Sequence, residues 1–160
     1  SMDLSNIESI RVQDSEEMFN ETIKYFKNSD VIICSAAISD FKPVQAIKNK
    51  IKKENGLSSI KLEPTKDILQ ELGKIKTSQF LVGFALETDN FIKNAKNKLK
   101  SKNLDAIVVN KIDDFNPISS DYNQIDFINS DLKITSFEKK LKTDVSSDIL
   151  NQIIKNVKET

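Results

Sequence analysis

The sequence predicts an α/β fold: a three-layer, Rossmann-like, mostly parallel sheet with a C-terminal antiparallel hairpin. Three observations carry this. Continuous apolar runs begin at Val31, Phe80 and Ala106, the pattern of strands buried on both faces. Between them lie stretches with apolar residues at helical spacing, such as Phe19, Ile23 and Phe26. Two short alternating segments flank Asn129-Ser130-Asp131, a turn signal. Strand and helix alternate along the chain, the order of a layered parallel sheet.

Taken in order, Ile7 to Val12 is a short strand. Asp14 and Glu17 stand at capping-box spacing and open a helix that ends near Asn28. Val31 to Ala37 is a buried strand, residues 38–57 are irregular, and Ser58 to Glu63 alternates Ile60 and Leu62 as a strand. Thr65 caps a helix carrying Ile68, Leu69 and Leu72, which Gly73 ends in the left-handed position. Phe80 to Ala85 is the next strand. Thr88 or Asp89 then opens a helix with Ile92, Ala95 and Leu99 inward. Ala106 to Val109 is a strand ending at Asn110, and residues 111–123 form a polar loop. Gln124–Ile128 and Leu132–Ser136 make the hairpin. A last helix from about Thr143 buries Val145, Ile149, Ile153 and Val157.

Composition narrows the chemistry. The 160 residues read as one domain spanning 1–160, with Ser1-Met2 as a cleavage scar and start residue. The 24 basic and 24 acidic residues cancel, so no global field draws the chain to nucleic acid or membrane. Arg11 is the only arginine, which leaves phosphate recognition to lysines. The absence of histidine excludes Ser-His and Cys-His catalysis and histidine metal sites within this chain. Cys34 is the sole cysteine and reads as a small buried hydrophobe. With no transmembrane-length run, a cytoplasmic location is expected.

Ligands of open α/β sheets lie beyond the carboxyl ends of the strands. Those ends are Ala36-Ala37, Gly83-Phe84-Ala85 and Val109-Asn110. Glycines occur only at 56, 73 and 83, so no glycine-rich phosphate loop exists. Small residues from Ser35 to Ser39 let a backbone approach a ligand. Asp40 is then placed to accept from a sugar or base, or to hold a divalent cation against phosphates. Lys50, in a basic run, reaches toward the same phosphates. A turn followed by a solvated basic loop is the plainer alternative. A nucleic-acid patch is another, though no aromatic residues interleave the lysines.

Glu63-Pro64-Thr65-Lys66-Asp67-Ile68 sets a helix N-terminus directly after a strand, its amides aimed at the site. An ordinary strand-to-helix connection reads the same way. Gly83 permits close backbone approach, and Phe84 offers a flat apolar face for a base or ribose, unless it is simply core. Lys98 and Lys102 share a helix face and repel one another unless an anion sits between them. Lys96 and Lys100 repeat the spacing on another face, so general lysine richness is the alternative.

As a set, these segments resemble the phosphopantothenate–cysteine ligase family, known in bacteria as the C-terminal half of a bifunctional coenzyme A biosynthesis flavoprotein. Ala36-Ala37-Ile38-Ser39-Asp40-Phe41 is similar to that family's AAVADY or AAVSDF run, and Lys50-Ile51-Lys52-Lys53 to its KIKK. Asp67-Ile68-Leu69 is similar to its NPDIL segment, Val82 to Thr88 to VGFAAET, and Lys98 to Asn110 to KL-x-x-KN-x-D-x-IVAN.

The resemblance implies a CTP-dependent ligase that joins 4'-phosphopantothenate to cysteine through an acyl-cytidylate, with Mg2+ and as a homodimer. It implies FMN only where a decarboxylase domain is attached. It implies nucleotide contacts from Ala36, Ala37, Asp40, Lys50, Thr65, Lys66, Asp67, Ile68, Phe84, Lys98 and Lys102. Asp40 would also face the metal, and Lys50 would assist the second step. Two departures stand out. Glu63-Pro64-Thr65 replaces the usual asparagine-proline, and the family's first β-α-β segment, with its Gly-Gly-Thr loop and catalytic asparagine, has no counterpart. The expectation is therefore a domain truncated at its N-terminus, weakly active or inactive alone. A non-catalytic nucleotide-binding or dimerisation module is the alternative.

Overall fold

A computed structural model describes residues 6–45, 59–87, 90–111 and 120–159. Helix α1 (Ser15–Phe26) begins where its cap dictates. Asp14 Oδ1 accepts from the N–H groups of Glu16 and Glu17 at 2.9 and 2.8 Å. Glu17 reaches back to the N–H of Gln13 at 2.8 Å, a capping box displaced by one residue. Strand β1 (Val31–Cys34) follows, then a two-stranded antiparallel ribbon of β2 (Phe41–Pro43) and β3 (Leu62–Pro64). The chain continues through α2 (Ile68–Ile75), β4 (Phe80–Glu87), α3 (Phe91–Ser101) and β5 (Ala106–Lys111). It ends with β6 (Tyr122–Asn123), β7 (Ile125–Asn129), β8 (Ile134–Ser136), β9 (Lys140–Leu141) and α4 (Lys142–Glu159).

The main sheet has the order β1-β4-β5-β7-β8. The pairs β1/β4 and β4/β5 are parallel, while β5/β7 and β7/β8 are antiparallel, so only β7 runs against the rest. The expected hairpin is β7–β8. Alternation along the strands divides the core. Leu81, Ala85, Ile107 and Val109 face α1, α2 and α3, whereas Phe80, Val82, Ala106 and Val108 face α4. Three layers result. Among the described residues, no helix is long and apolar enough to cross a membrane.

Several local expectations are corrected. Residues 7–12 lie outside any helix or strand, with Ile7, Ile10 and Val12 exposed, because no neighbouring strand pairs with them. Strand β1 stops at Cys34 and is only half-buried, since among the described strands it pairs with β4 alone and Ile33 is 40% exposed. Within the stretch read as irregular, Phe41–Pro43 pairs with β3. Val157 is exposed: the burial of Val145, Ile149 and Ile153 against the sheet does not extend to this last turn of α4.

Gly73 is the largest correction. It lies inside α2 without a left-handed conformation, and the cap of that helix is Asp67 rather than Thr65. Non-local packing explains the glycine. A Cβ there would stand 1.9 Å from the backbone oxygen of Lys102. Asn103, left-handed at φ 52, donates its side-chain amide to the Gly73 carbonyl at 2.9 Å. Helix α2 is thereby pressed against the turn that follows α3. Close by, the Asp105 carboxylate accepts from Lys76 Nζ at 2.8 Å and from the Leu81 N–H at 2.7 Å, tying the exit of α2 to β4.

Helix propensity alone would have Gly73→Ala stabilise α2 by about 1 kcal/mol. The backbone clash reverses the sign, and we expect a net loss of roughly 2 kcal/mol in urea denaturation. A stabilised variant would refute the close-approach account.

Candidate functional site

A cleft of about 460 Å³ opens beyond the carboxyl ends of β1 and β4. One wall is the backbone of Ser35–Asp40, which leaves β1 as a run of small residues. The opposite wall is the Thr65–Leu69 approach to α2, and Lys98 and Lys102 project from the last turn and C-cap of α3. Phe84 and Leu86 of β4, together with Ile32, Ile33 and Met18, supply its apolar surface.

Local bonds hold the two walls in register. The N–H of Thr65 donates to the Asp40 carbonyl at 2.8 Å, where β3 leaves the ribbon. Ser39 Oγ donates to the Phe41 carbonyl at 2.9 Å. The Asp40 side chain is exposed at the cleft rim, and its carboxylate engages none of the described side chains.

The cations are arranged differently from one another. Lys66 Nζ lies 4.0 Å from the centroid of the Phe19 ring, a cation–π contact that parks it on α1. Lys102 Nζ lies 2.7 Å from Asp67 Oδ2, and the other oxygen of Asp67 accepts from the N–H of Gln70 at 3.0 Å. Burial raises the Asp67 pKa, but the Lys102 hydrogen bond, the Gln70 amide and the charges of Lys102 and Lys98 outweigh it. The carboxyl is held below its ordinary value. Its stabilising contribution is complete above the ordinary carboxylate range and is lost as pH falls through that lowered value. Lys102 thus takes its counter-ion from the protein itself.

Every expected site residue that the structure describes lines this one cleft: Ala36, Ala37, Asp40, Thr65, Lys66, Asp67, Ile68, Phe84, Lys98 and Lys102. Lys50 lies outside the described residues. Two expectations are corrected. Gly83 makes room for protein rather than for a ligand, since a Cβ there would meet Leu69 Cδ2 at 2.7 Å and Leu104 Cδ1 at 2.9 Å. The third strand end does not line the cleft; Asn110 Oδ1 accepts instead from Asn123 Nδ2 at 3.1 Å.

Cys34 was missed, because an apolar run gives no sign of which side chain borders a cavity. It is half-buried in the cleft wall. Burial, then the charge of Asp67, pushes its thiol up to about 11. Because the thiolate is the reactive form, iodoacetamide should label Cys34 about a hundredfold more slowly than a free cysteine at pH 7.5. The rate should climb with pH toward about 11. A rate near that of free cysteine would show that the thiol is not shielded.

Comparison with known proteins places this architecture. The sequence model of the DNA/pantothenate metabolism flavoprotein C-terminal domain matches residues 2–157. A cysteine/cysteine sulfinic acid decarboxylase from an unknown prokaryotic organism is 42% identical over 151 residues, covering 93% of this chain and 42% of its own. The coenzyme A biosynthesis bifunctional protein CoaBC of Bacillus subtilis is 36% identical over 154 residues, covering 96% of this chain and 38% of its own. The chain therefore spans about two fifths of the length of these relatives. A crystal structure of the C-terminal domain of a CoaBC protein superposes with a TM-score of 0.77 at 30% identity, over 94% of this chain and 66% of that one. The DNA/pantothenate metabolism flavoprotein from Streptococcus pneumoniae, at 22% identity and a TM-score of 0.73 over 91% of this chain and 72% of that one, shares the fold.

Proposed function

The chain belongs to the family of the DNA/pantothenate metabolism flavoprotein C-terminal domain, and from that membership we propose that it supplies the nucleotide-binding part of a CTP-dependent phosphopantothenate–cysteine ligase of coenzyme A biosynthesis. The observation that carries this reading is the gathering of separate motifs, spread from Ala36 to Lys102, around one cleft with a basic wall and an apolar wall.

The chemistry follows from what a carboxylate lacks. Its carbon resists an amine until one oxygen becomes part of a leaving group. In the first step the carboxylate of 4'-phosphopantothenate attacks the α-phosphorus of CTP, a P–O bond to pyrophosphate breaks, and an acyl-cytidylate forms. In the second, the amine of cysteine attacks the acyl carbon, CMP departs with the bond electrons, and the ammonium proton is lost to solvent or base. Lys66, Lys98 and Lys102 would hold the polyphosphate, and the helix N-terminus at Ile68 would present amides to it. The Ala36-Ala37 backbone and Phe84 would border the nucleoside. Lys50, on the resemblance, would contact phosphate and assist the second step.

Mg2+ typically binds through one or two carboxylates plus substrate phosphates. The residues present fit it: Asp40 offers an uncommitted carboxylate at the rim, while Asp67 is engaged by Lys102. Bound there, the ion would neutralise charge building on the phosphates.

A homodimer in the cytoplasm fits the same reading. Pairing of Phe41 with Pro64 and of Pro43 with Leu62 gathers four apolar residues on one side of the ribbon. Phe41 and Leu62 are each 57% exposed, a surface suited to a second copy. Lys42 and Glu63 face the other way, toward Glu16 of α1. Neither membrane nor nucleic acid is called for as a partner.

A non-catalytic nucleotide-binding or dimerisation module is the second reading, favoured by one observation: the 42% identical relative is named for a decarboxylation. Calorimetric titration with CTP, ATP and GTP in Mg2+ tests the nucleotide assignment. We expect saturable binding selective for CTP, weakened roughly tenfold by Lys98→Ala. Equal binding of all three would refute CTP selectivity. Pyrophosphate release that requires both 4'-phosphopantothenate and cysteine, measured in a full-length protein carrying this domain, separates the ligase from the passive module.

A further inference from the structure

We infer that Asp67 is a specificity-determining counter-ion, whose carboxylate holds the Lys98–Lys102 wall in check so that only a ligand bearing several phosphate charges engages it. The inference rests on the proposed nucleotide cleft. Asp67 belongs to the start of α2 rather than to α3, and its Oδ2 reaches Lys102 Nζ at 2.7 Å. Its Oδ1 remains on the N–H of Gln70 at 3.0 Å, so the carboxylate is anchored at the start of α2 while it bridges. Lys98 stands one helical turn before Lys102 and also faces this cleft. The third cation of the cleft, Lys66, is drawn aside onto Phe19.

The consequence is a threshold. The Asp67 carboxylate offsets one positive charge on this wall, and its removal would restore that charge. A single phosphate must compete with a partner already anchored in place. A triphosphate brings more charge than the carboxylate supplies and takes the lysines from it. Since the carboxylate stays attached to α2, it also repels any bound phosphate nearby, which aids the departure of a monophosphate product.

Substitution separates this role from helix capping, because asparagine and serine cap helices about as well as aspartate but carry no charge. The test is calorimetric titration of the whole chain and of its Asp67→Asn and Asp67→Ser variants with sodium tripolyphosphate and with orthophosphate, in low salt without Mg2+. Both variants should still unfold cooperatively, losing only the small contribution of the part-exposed Asp67–Lys102 pair, and should bind tripolyphosphate roughly fivefold or more tighter, a gain that fades in high salt. Adding Lys102→Met should remove the gain.

Unchanged or weaker tripolyphosphate binding in both variants overturns the inference, as does binding by none of the three proteins. So does a loss in the variants that appears only when Mg2+ is restored, which would make Asp67 a metal ligand. A wild type that fails to prefer CTP over GTP, beside an intact gain in Asp67→Asn, would instead overturn the nucleotide reading and leave the counter-ion role standing.

Discussion

The contact on which the rest of this structure depends is the joint between α2 and the turn after α3. At Gly73 the helix comes so near the Lys102 carbonyl that a single methyl group would not fit. Asn103 locks the approach by donating to the Gly73 carbonyl from a left-handed backbone. Two helices that belong to different βα units are thereby fixed at one separation. That separation brings Asp67, at the start of α2, within ion-pair distance of Lys102, at the end of α3. Both residues are far apart in sequence, and the charge pattern of the cleft is a consequence of backbone packing several residues away.

Electrostatics in this protein is local because composition allows nothing else. Basic and acidic residues are equal in number, and lysine supplies nearly every cation. A lysine ammonium is a compact point charge on a long stem, free to change partner in a way a planar guanidinium fork is not. The cleft uses that freedom: one lysine rests on an aromatic ring and another on a carboxylate. In a site built this way the cations rest on the protein's own groups and can exchange them for those of a ligand.

Much of the fold was legible from periodicity. The strands beginning at Val31, Phe80 and Ala106 and the hairpin on either side of Asn129-Ser130-Asp131 lie where the apolar patterns put them. What escaped has one physical origin, contacts between residues distant in sequence. Gly73 sits near the end of a helical pattern, where a left-handed cap is the local inference, and only the Lys102 carbonyl reveals its purpose. Thr65 and Asp67 are both capping types, and it is Asp67 that caps α2 and pairs with Lys102 from the end of α3. The apolar rhythm of α4 continues to Val157, beyond the residues that the sheet buries. The placement of the cleft was legible for a related reason: small and charged residues crowd the ends of β1 and β4, and strand ends are known from pattern alone. Asn110 failed the same rule because its partner, Asn123, comes from a later strand.

Strand β1 has one further implication. It carries the Ser35–Asp40 wall, yet among the described strands it pairs only with β4, through four residues, and it is half-buried. The chain between Cys34 and Phe80 includes the ribbon and α2, so seating β1 closes a longer loop than the single helix between β4 and β5. Local opening free energies follow such differences in support, with edge elements releasing their amides before central ones. The wall of the cleft therefore hangs from the least secured strand of the sheet, and any ligand seated there works against the opening of that strand. Occupancy would be written in the hydrogen-exchange protection of Val31 to Cys34 long before the buried amides of β5 registered it.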